Sequence, residues 1–420
     1  MTKSSLVLEG SEVKLRLEAE RTAHKTPVHI DWLRFTCLLR NVVPDFESRS
    51  GPIFPTDDVL GARSVRSVFR MVDHRKQNRK LSPVATEDIS NLIRCTLEGY
   101  QAERDSGEFK WAAAQALELG KECAEALGPD FTINREIKAG KDFYKYAFII
   151  EREGHACGWI GFLAASSSPS AERQNATIHA CIEGHACTFA AHGWNDRFAA
   201  IIDNHQAKIT RIDLALDMFD GGLDMDGLKD QYLAGNFDVR GRRPATHIAG
   251  DWTNGAERSF YVGCRQSGKE TNIYEKGDQL FGRQANSPWI RIELRYGNKL
   301  RVLSSEALRR PADFFAGASD WHNLQMSRAT HAAVPQSVPV HKRLPLQSVR
   351  AEVVRNLRWA FNAAAPTIAA AFKYLNEDDL SELCDYTTKK LPGRLRKFGH
   401  LDLLSAFNSS GGVGHALLAA

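Results

Sequence analysis

The 420-residue chain lacks most of the motifs that fix a chemistry at sight. It has no glycine-rich loop of the Walker or Rossmann kind, so nothing marks a nucleotide-phosphate cradle. It has no GxSxG elbow and no HExxH pair, which removes the common hydrolase and zinc-peptidase signatures. No two histidines flank a single apolar residue, so a histidine-held metal of the nicking type has no motif. Eight cysteines are present, but none forms a CxxC pair. They are scattered among small and apolar neighbours and read as reduced, partly buried thiols. No apolar run is long enough to span a bilayer. The opening Met1-Thr-Lys-Ser-Ser leads into mixed charge and not into an apolar signal core, so the expected compartment is the cytoplasm. Charge of one sign is scarcely in excess: 55 basic against 51 acidic residues, formally +4. That balance permits nucleic acid without arguing for it, because local patches set the contact field. There is no internal repeat at a fixed period.

What is present is an ordinary globular composition, 43% hydrophobic and 25% charged, with enough apolar material for two or three domains. Within it, three short segments put chemistry on strand faces. Side chains alternate along a strand. In Arg211–Asp217, Ile212, Leu214 and Leu216 share one face while Arg211, Asp213, Ala215 and Asp217 share the other. In Ile290–Arg295, the isoleucines and Leu294 oppose Arg291, Glu293 and Arg295. In Asn272–Lys276, Asn272, Tyr274 and Lys276 fall together. Carboxylates, a phenol, an ammonium and several guanidiniums can therefore meet on one sheet surface.

The rest of the chain arranges itself around these segments. Residues 1–27 are polar and read as an arm. Residues 28–332 read as an α+β domain with a mainly antiparallel sheet. His29–Cys37 alternates as its first strand, and residues 59–127 switch to helical spacing as an insertion, with a helix start at Thr86-Glu87-Asp88. The insertion's first part is rich in arginine and lysine, from Arg63 to Lys80, which reads first as a solvated face. Strands are expected at 143–152 and 159–164, joined at Glu153-Gly154. A strand pair is expected from Gln174 to Phe189, turning at Glu183-Gly184. Helices are expected at 194–205 and 223–233, and strands at 208–219, 260–265, 271–276 and 289–296. Residues 333–346 hold three prolines and read as a linker. Residues 347–420 form a C-terminal helical region with a Ser/Gly-rich tail and the basic cluster Lys389, Lys390, Arg394, Arg396, Lys397. The tripeptide His-Ala-Cys occurs at 155–157, 179–181 and 185–187. That spacing matches no closed zinc module, so packing is the expectation.

Chemically, Asp213 and Asp217 lie ~13 Å apart at about 3.3 Å per residue, too far to share one ion directly. Asp213, deeper in its apolar run, is the better direct ligand; Asp217 suits an outer position or a partner for a cation. Asp213 and Glu293 on neighbouring strands would suit Mg²⁺ or Mn²⁺. The alternative is that both carboxylates pair with Arg211, Arg291 or Arg295 in an ion network. Tyr274 as a nucleophile must overcome a reference pKa of about 10. A nearby metal and the Lys276 ammonium would both favour its phenolate. Otherwise it is a packing residue with its hydroxyl at an edge. Arg265, Arg291 and Arg295 carry planar forks suited to phosphate.

Taken in order, Asp31-Trp-Leu33, Gly184-His-Ala-Cys187, Arg211–Asp217, Tyr261-Val-Gly-Cys-Arg265-Gln-Ser267, Ile273-Tyr-Glu-Lys276 and Arg291–Arg295 resemble the replication initiation factor family. These are rolling-circle initiators of small plasmids and filamentous phages. The resemblance covers roughly residues 28–305. It implies a nicking-and-joining protein that binds a double-stranded origin and cuts one strand, with Tyr274 as nucleophile and Asp213 and Glu293 on the metal. It further implies a 5′-phosphotyrosyl intermediate, a freed 3′-hydroxyl for a polymerase, and a possible host helicase or homodimer. The insertion and the C-terminal region depart from the shared motifs, and His185 replaces a smaller polar residue in its turn. Two other readings stand beside this one: a non-catalytic DNA-binding regulator, and a metal-dependent nuclease that uses water.

Overall fold

The computed structural model describes residues 27–54, 86–165, 174–219, 222–329 and 335–339, with residues 353, 376–379, 381, 395 and 399–409 beyond them. The arm at 1–26, the Arg63–Lys80 run, most of the 333–346 linker and the Lys389–Lys397 cluster lie outside the described residues. The chain divides into two compact units, Met1–Pro339 and Val340–Ala420.

The first unit is α+β, built on a ten-stranded sheet in the order β2-β3-β4-β5-β1-β6-β10-β9-β8-β7. The strands are β1 Val28–Leu38, β2 Phe131–Ala139, β3 Tyr144–Arg152, β4 His155–Ala164, β5 Thr177–Ile182, β6 Lys208–Met218, β7 Thr246–Asp251, β8 Ala256–Cys264, β9 Lys269–Glu275 and β10 Ile290–Gly297. Every ladder between them is antiparallel. The sheet's apolar face carries Leu33, Phe35, Ile212, Leu214, Ile273, Ile292 and Leu294 into one continuous core. Helices α1 Thr86–Asp105 and α2 Gly107–Leu127 fill the described part of the insertion. The Ser106 side chain accepts a hydrogen bond from the Phe109 amide and so caps α2, whose Phe109, Leu117 and Cys123 join the core.

Several elements depart from their expected forms. The segment after β5 is not the second strand of a hairpin but helix α3, Gly184–Phe189. Six residues of alternating polar and small side chains mimic a strand, yet the Cys187 amide donates to the Glu183 carbonyl, and the Thr188 hydroxyl donates to the Gly184 carbonyl. Gly184 is needed there because a Cβ would come within 3.0 Å of the Asp31 carbonyl oxygen. The turn thus presses against β1 beside the site described next. Helix α4, Trp194–Asn204, is where the sequence placed it, and Phe198 meets Phe35 edge to face. The helix expected at 223–233 is confined to α5, Leu228–Leu233. Strands β2 and β7 were not expected. Both are sheet edges, and every residue of β7 is exposed, so neither shows a buried alternation.

The three His-Ala-Cys tripeptides separate onto β4, β5 and α3. Burial pushes the Cys157 thiol up to about 12 and the Cys181 thiol up to about 11, as expected of packed, unreactive sulfurs. Among the described residues no helix is long and apolar enough to cross a membrane. In the second unit, α6, His400–Ser409, contributes Leu403 and Ala406 to a small buried cluster with Val353 and Leu395.

Candidate active site

Register brings the three segments together. β6 pairs with β10, and β10 with β9, so the polar sheet face forms rows. Asp217, Arg291 and Tyr274 make one row. Ala215, Glu293 and Asn272 make the next. Asp213, Arg295 and Glu270 make the third.

The first row holds the phenol. Arg291 is buried and donates from Nε to Asp217 Oδ1 at 2.7 Å, from Nη2 to Asp217 Oδ2 at 2.9 Å and from Nη1 to Asp31 Oδ1 at 2.8 Å. Asp31 reaches this point because a bulge in β1 falls between Ile30 and Trp32. Trp289 Nε1 donates to Asp217 Oδ1 at 2.8 Å, and His29 Nε2 lies 3.5 Å from Asp217 Oδ2. Burial opposes charge on Arg291, but the two carboxylates outweigh it and keep the guanidinium charged.

Burial pushes the half-buried Tyr274 phenol well above its ordinary value. Arg291 pulls it back, while Glu293, Asp31 and Asp217 push it further up. Lys276 is not on the strand as expected; β9 ends at Glu275 and Lys276 opens a short helix, Lys276–Phe281. Its ammonium nevertheless lies 5.7 Å from the Tyr274 ring centroid and donates to Gln279 Oε1 at 2.8 Å. Burial, then the neighbouring Arg291, brings Lys276 down to about 8.

The third row is an ion network. Asp213, 1% exposed, accepts from Arg211 Nε at 2.9 Å and again from Arg211 Nη2, with Arg295 Nε 3.9 Å away. Burial raises the Asp213 carboxyl to about 7, against the pull of Arg211. Arg295 donates to Glu293 Oε1 at 2.7 Å and to Glu270 Oε1 at 3.0 Å. Arg265, mostly exposed, donates to Glu270 Oε1 at 3.1 Å. The turn that carries it depends on Gly268, whose φ is +70° and where a Cβ would meet the Gly297 carbonyl at 2.7 Å.

Of the residues singled out from the sequence, Tyr274, Lys276, Asp217 and Arg291 gather at one end of the face. Asp213, Glu293, Arg295 and Arg265 gather at the other. Asp31, His29 and Glu270 complete the two groups and were missed as site residues. Asp31 was quoted only as part of a motif, and Glu270 precedes the apolar stretch that marks its strand.

The donor set near Glu293 consists of hard oxygens, which suits Mg²⁺ or Mn²⁺. Arg295 meets only one Glu293 oxygen, and beside it Asn272 Oδ1 is buried with no hydrogen-bond partner. Both oxygens are of the kind such a cation takes. Among the described residues, however, no three His, Cys, Asp or Glu side chains form a ready-made metal cluster. Asp217 has both oxygens on Arg291, and Asp213 has both on Arg211.

Comparison with known proteins finds one family. Residues 207–386 match the family model described as replication initiation factor. The family recognised from the motifs is the family that the comparison finds. The match holds β6 to β10, and so Asp213, Asp217, Tyr274, Lys276, Arg291 and Glu293. It begins after the Asp31 and Gly184 motifs and runs beyond residue 305, into the C-terminal unit. No curated protein matches the chain. A solved structure of a rolling circle replication initiator protein from Geobacillus stearothermophilus is similar at 16% identity, covering 69% of this chain and 83% of that one, with a TM-score of 0.37.

Proposed function

We propose that this protein is a rolling-circle initiator that nicks and rejoins origin DNA through Tyr274. The observation that carries the reading is the placement of Tyr274 directly across from the buried Arg291, with the Lys276 ammonium over its ring.

The Tyr274 hydroxyl attacks the phosphorus of one origin phosphodiester. The bond from phosphorus to the 3′-oxygen breaks as the bond to the phenol oxygen forms; the phenol gives up its proton to solvent, and the leaving 3′-oxygen takes one up. The strand's 5′-phosphate is then an ester of Tyr274, and the 3′-hydroxyl is free to prime a host polymerase. One ester replaces another, so the reverse attack rejoins the strand without a nucleotide cofactor. A buried phenol resists ionisation, and the fixed charges of Arg291 and Lys276 offset that resistance where negative charge develops. Exposed Arg265, at the other end of the face, would hold a phosphate further along the strand, with Arg295 behind it. Mg²⁺ or Mn²⁺, held at Glu293 with Asp213 in an outer position, would supply Lewis-acid help at the phosphate. Asp217 serves Arg291 and not the cation. A host helicase and a second copy of the chain belong to the same scheme as partners in opening the duplex.

The test is incubation of the protein with supercoiled DNA carrying its origin, followed by denaturing electrophoresis. Nicked DNA with protein bound to its 5′ end is expected, and Tyr274→Phe abolishes both while leaving origin binding intact. Nicked DNA without bound protein indicates a nuclease that uses water. Binding without any nick indicates a non-catalytic regulator.

A further inference from the structure

Asn272 is the residue on the polar face that the scheme above leaves unused. It stands in register between Glu293 on β10 and Tyr261 on β8, and on its own strand Tyr274 is two residues further along the same face. It is 5% exposed, and its side-chain oxygen Oδ1 has no hydrogen-bond partner. A buried amide oxygen left unpaired costs roughly 1–3 kcal/mol, so an oxygen with no partner in the protein calls for one from outside it.

The neighbours indicate which ligand. Glu293 faces Asn272 across the strand pair, and Arg295 meets it at Oε1. On the far side of Glu293 the register partner is the buried Ala215, which brings no competing polar group. Carboxylate and amide carbonyl oxygens together are the donors that a hard divalent cation takes. The position also suits the chemistry. Residues two apart on a strand are separated by roughly 7 Å, so a cation at this pair lies within reach of a phosphate attacked by Tyr274. Asp213, by contrast, is two strands from Asn272, about 10 Å away across the sheet, and its oxygens are held by Arg211.

We infer that the Asn272 side-chain oxygen is a ligand of the divalent cation, shared with Glu293, and that this pair is the inner seat of the ion. The inference rests on the proposed metal-assisted nicking.

The experiment measures Mn²⁺ binding to the full chain by electron paramagnetic resonance, with and without a single-stranded origin oligonucleotide. Urea denaturation of each variant is followed in parallel. Asn272→Ala should weaken Mn²⁺ binding by at least about tenfold. Its unfolding midpoint should fall only by the packing the smaller side chain gives up, because the oxygen removed has no partner in the protein. Asn272→Asp, which adds a charge at the same oxygen, should bind Mn²⁺ more tightly than the wild type. If Glu293→Gln weakens binding while Asn272→Ala leaves it unchanged, the metal reading stands and the role of Asn272 is wrong. Weaker binding by Asn272→Asp would likewise overturn it, since the amide NH₂ and not the oxygen would then face Glu293. A wild-type protein that binds no Mn²⁺ under either condition removes the metal-assisted reading and this inference with it.

Discussion

Arg291 and Tyr274 are register partners across β10 and β9, and the arginine's other side is fixed by Asp217 and Asp31. A guanidinium buried to 2% exposure is thereby held beside a phenol that burial keeps protonated. The pair is the centre of the candidate site, since the guanidinium sets the charge that the tyrosine meets.

Removing that guanidinium should act on stability and on chemistry together. Arg291→Gln leaves Asp217 buried against Trp289 with its charge partner gone. Breaking a buried pair from one side costs about 3–5 kcal/mol, which urea denaturation will register. Arg291→Lys keeps the charge but loses the fork that spans Asp217 and Asp31, so it should fold better than the glutamine variant and still nick poorly. Equal stability of Arg291→Gln and wild type would show that the cluster is not coupled.

Lys276 sets an alkaline limit. Its ordinary value is brought down to about 8, first by burial and then by Arg291. The ammonium is therefore present below about pH 8 and lost as pH rises through it. If its charge supports the phenolate, kcat/KM for nicking should fall above that point, because this parameter reports groups of the free enzyme. Lys276→Arg should carry no such limb, since a guanidinium stays charged throughout the range. A limb shared by both proteins would assign it to another group.

Acid should destabilise the first unit through its buried histidines. His322 lies between the Thr271 hydroxyl at 3.0 Å and the Ser319 hydroxyl at 2.7 Å, and burial lowers it well below its ordinary value. His179 is lowered to about 4 by burial and by Arg34. A depressed folded value means that the unfolded chain takes up the proton first. Stability is then full above about pH 6.5 and falls below it, by about 1.4 kcal/mol per histidine per pH unit. Urea midpoints at pH 7, 6 and 5 measure the slope, and His322→Gln should reduce it. A slope unchanged by the substitution would count against His322 as a source.

The division after Pro339 allows binding and chemistry to be separated. All three active strands precede it, so a 1–339 fragment should fold and cleave a single-stranded origin oligonucleotide. Its duplex affinity should drop and its salt dependence flatten if the Lys389–Lys397 cluster contacts phosphates. Unchanged affinity and slope in a folded fragment would transfer that role to the basic run at Arg63–Lys80.

Much of this architecture was legible because a half-buried strand writes its two faces into a period of two. β6 and β10 are the clearest cases: each alternates apolar residues with acids and arginines, and each face is where the alternation puts it. What the sequence could not carry is register. Nothing in Arg211–Asp217 or Ile290–Arg295 says that Arg291 falls opposite Asp217 and Tyr274, or that Arg295 falls opposite Asp213. The arginines could therefore be phosphate contacts or partners of the carboxylates, and the structure has Arg291 committed to carboxylates on both sides. Asp31 was hidden by the bulge that turns it onto this face. β7 was invisible because an exposed edge strand buries nothing, and α3 was mistaken because six residues are too few for period to separate helix from strand.

The account turns on one bond, between Tyr274 and the 5′ end of the nicked strand. The most direct measurement traps the covalent product on an origin oligonucleotide, digests it with trypsin and nuclease, and locates the nucleotide by mass spectrometry. Cleavage after Lys269 and Lys276 releases Glu270–Lys276, in which Tyr274 is the single tyrosine. The account requires the added nucleotide phosphate on that peptide. Its appearance on the Ser259–Arg265 peptide, which carries Tyr261, or on the peptide that begins with Tyr296, would contradict it.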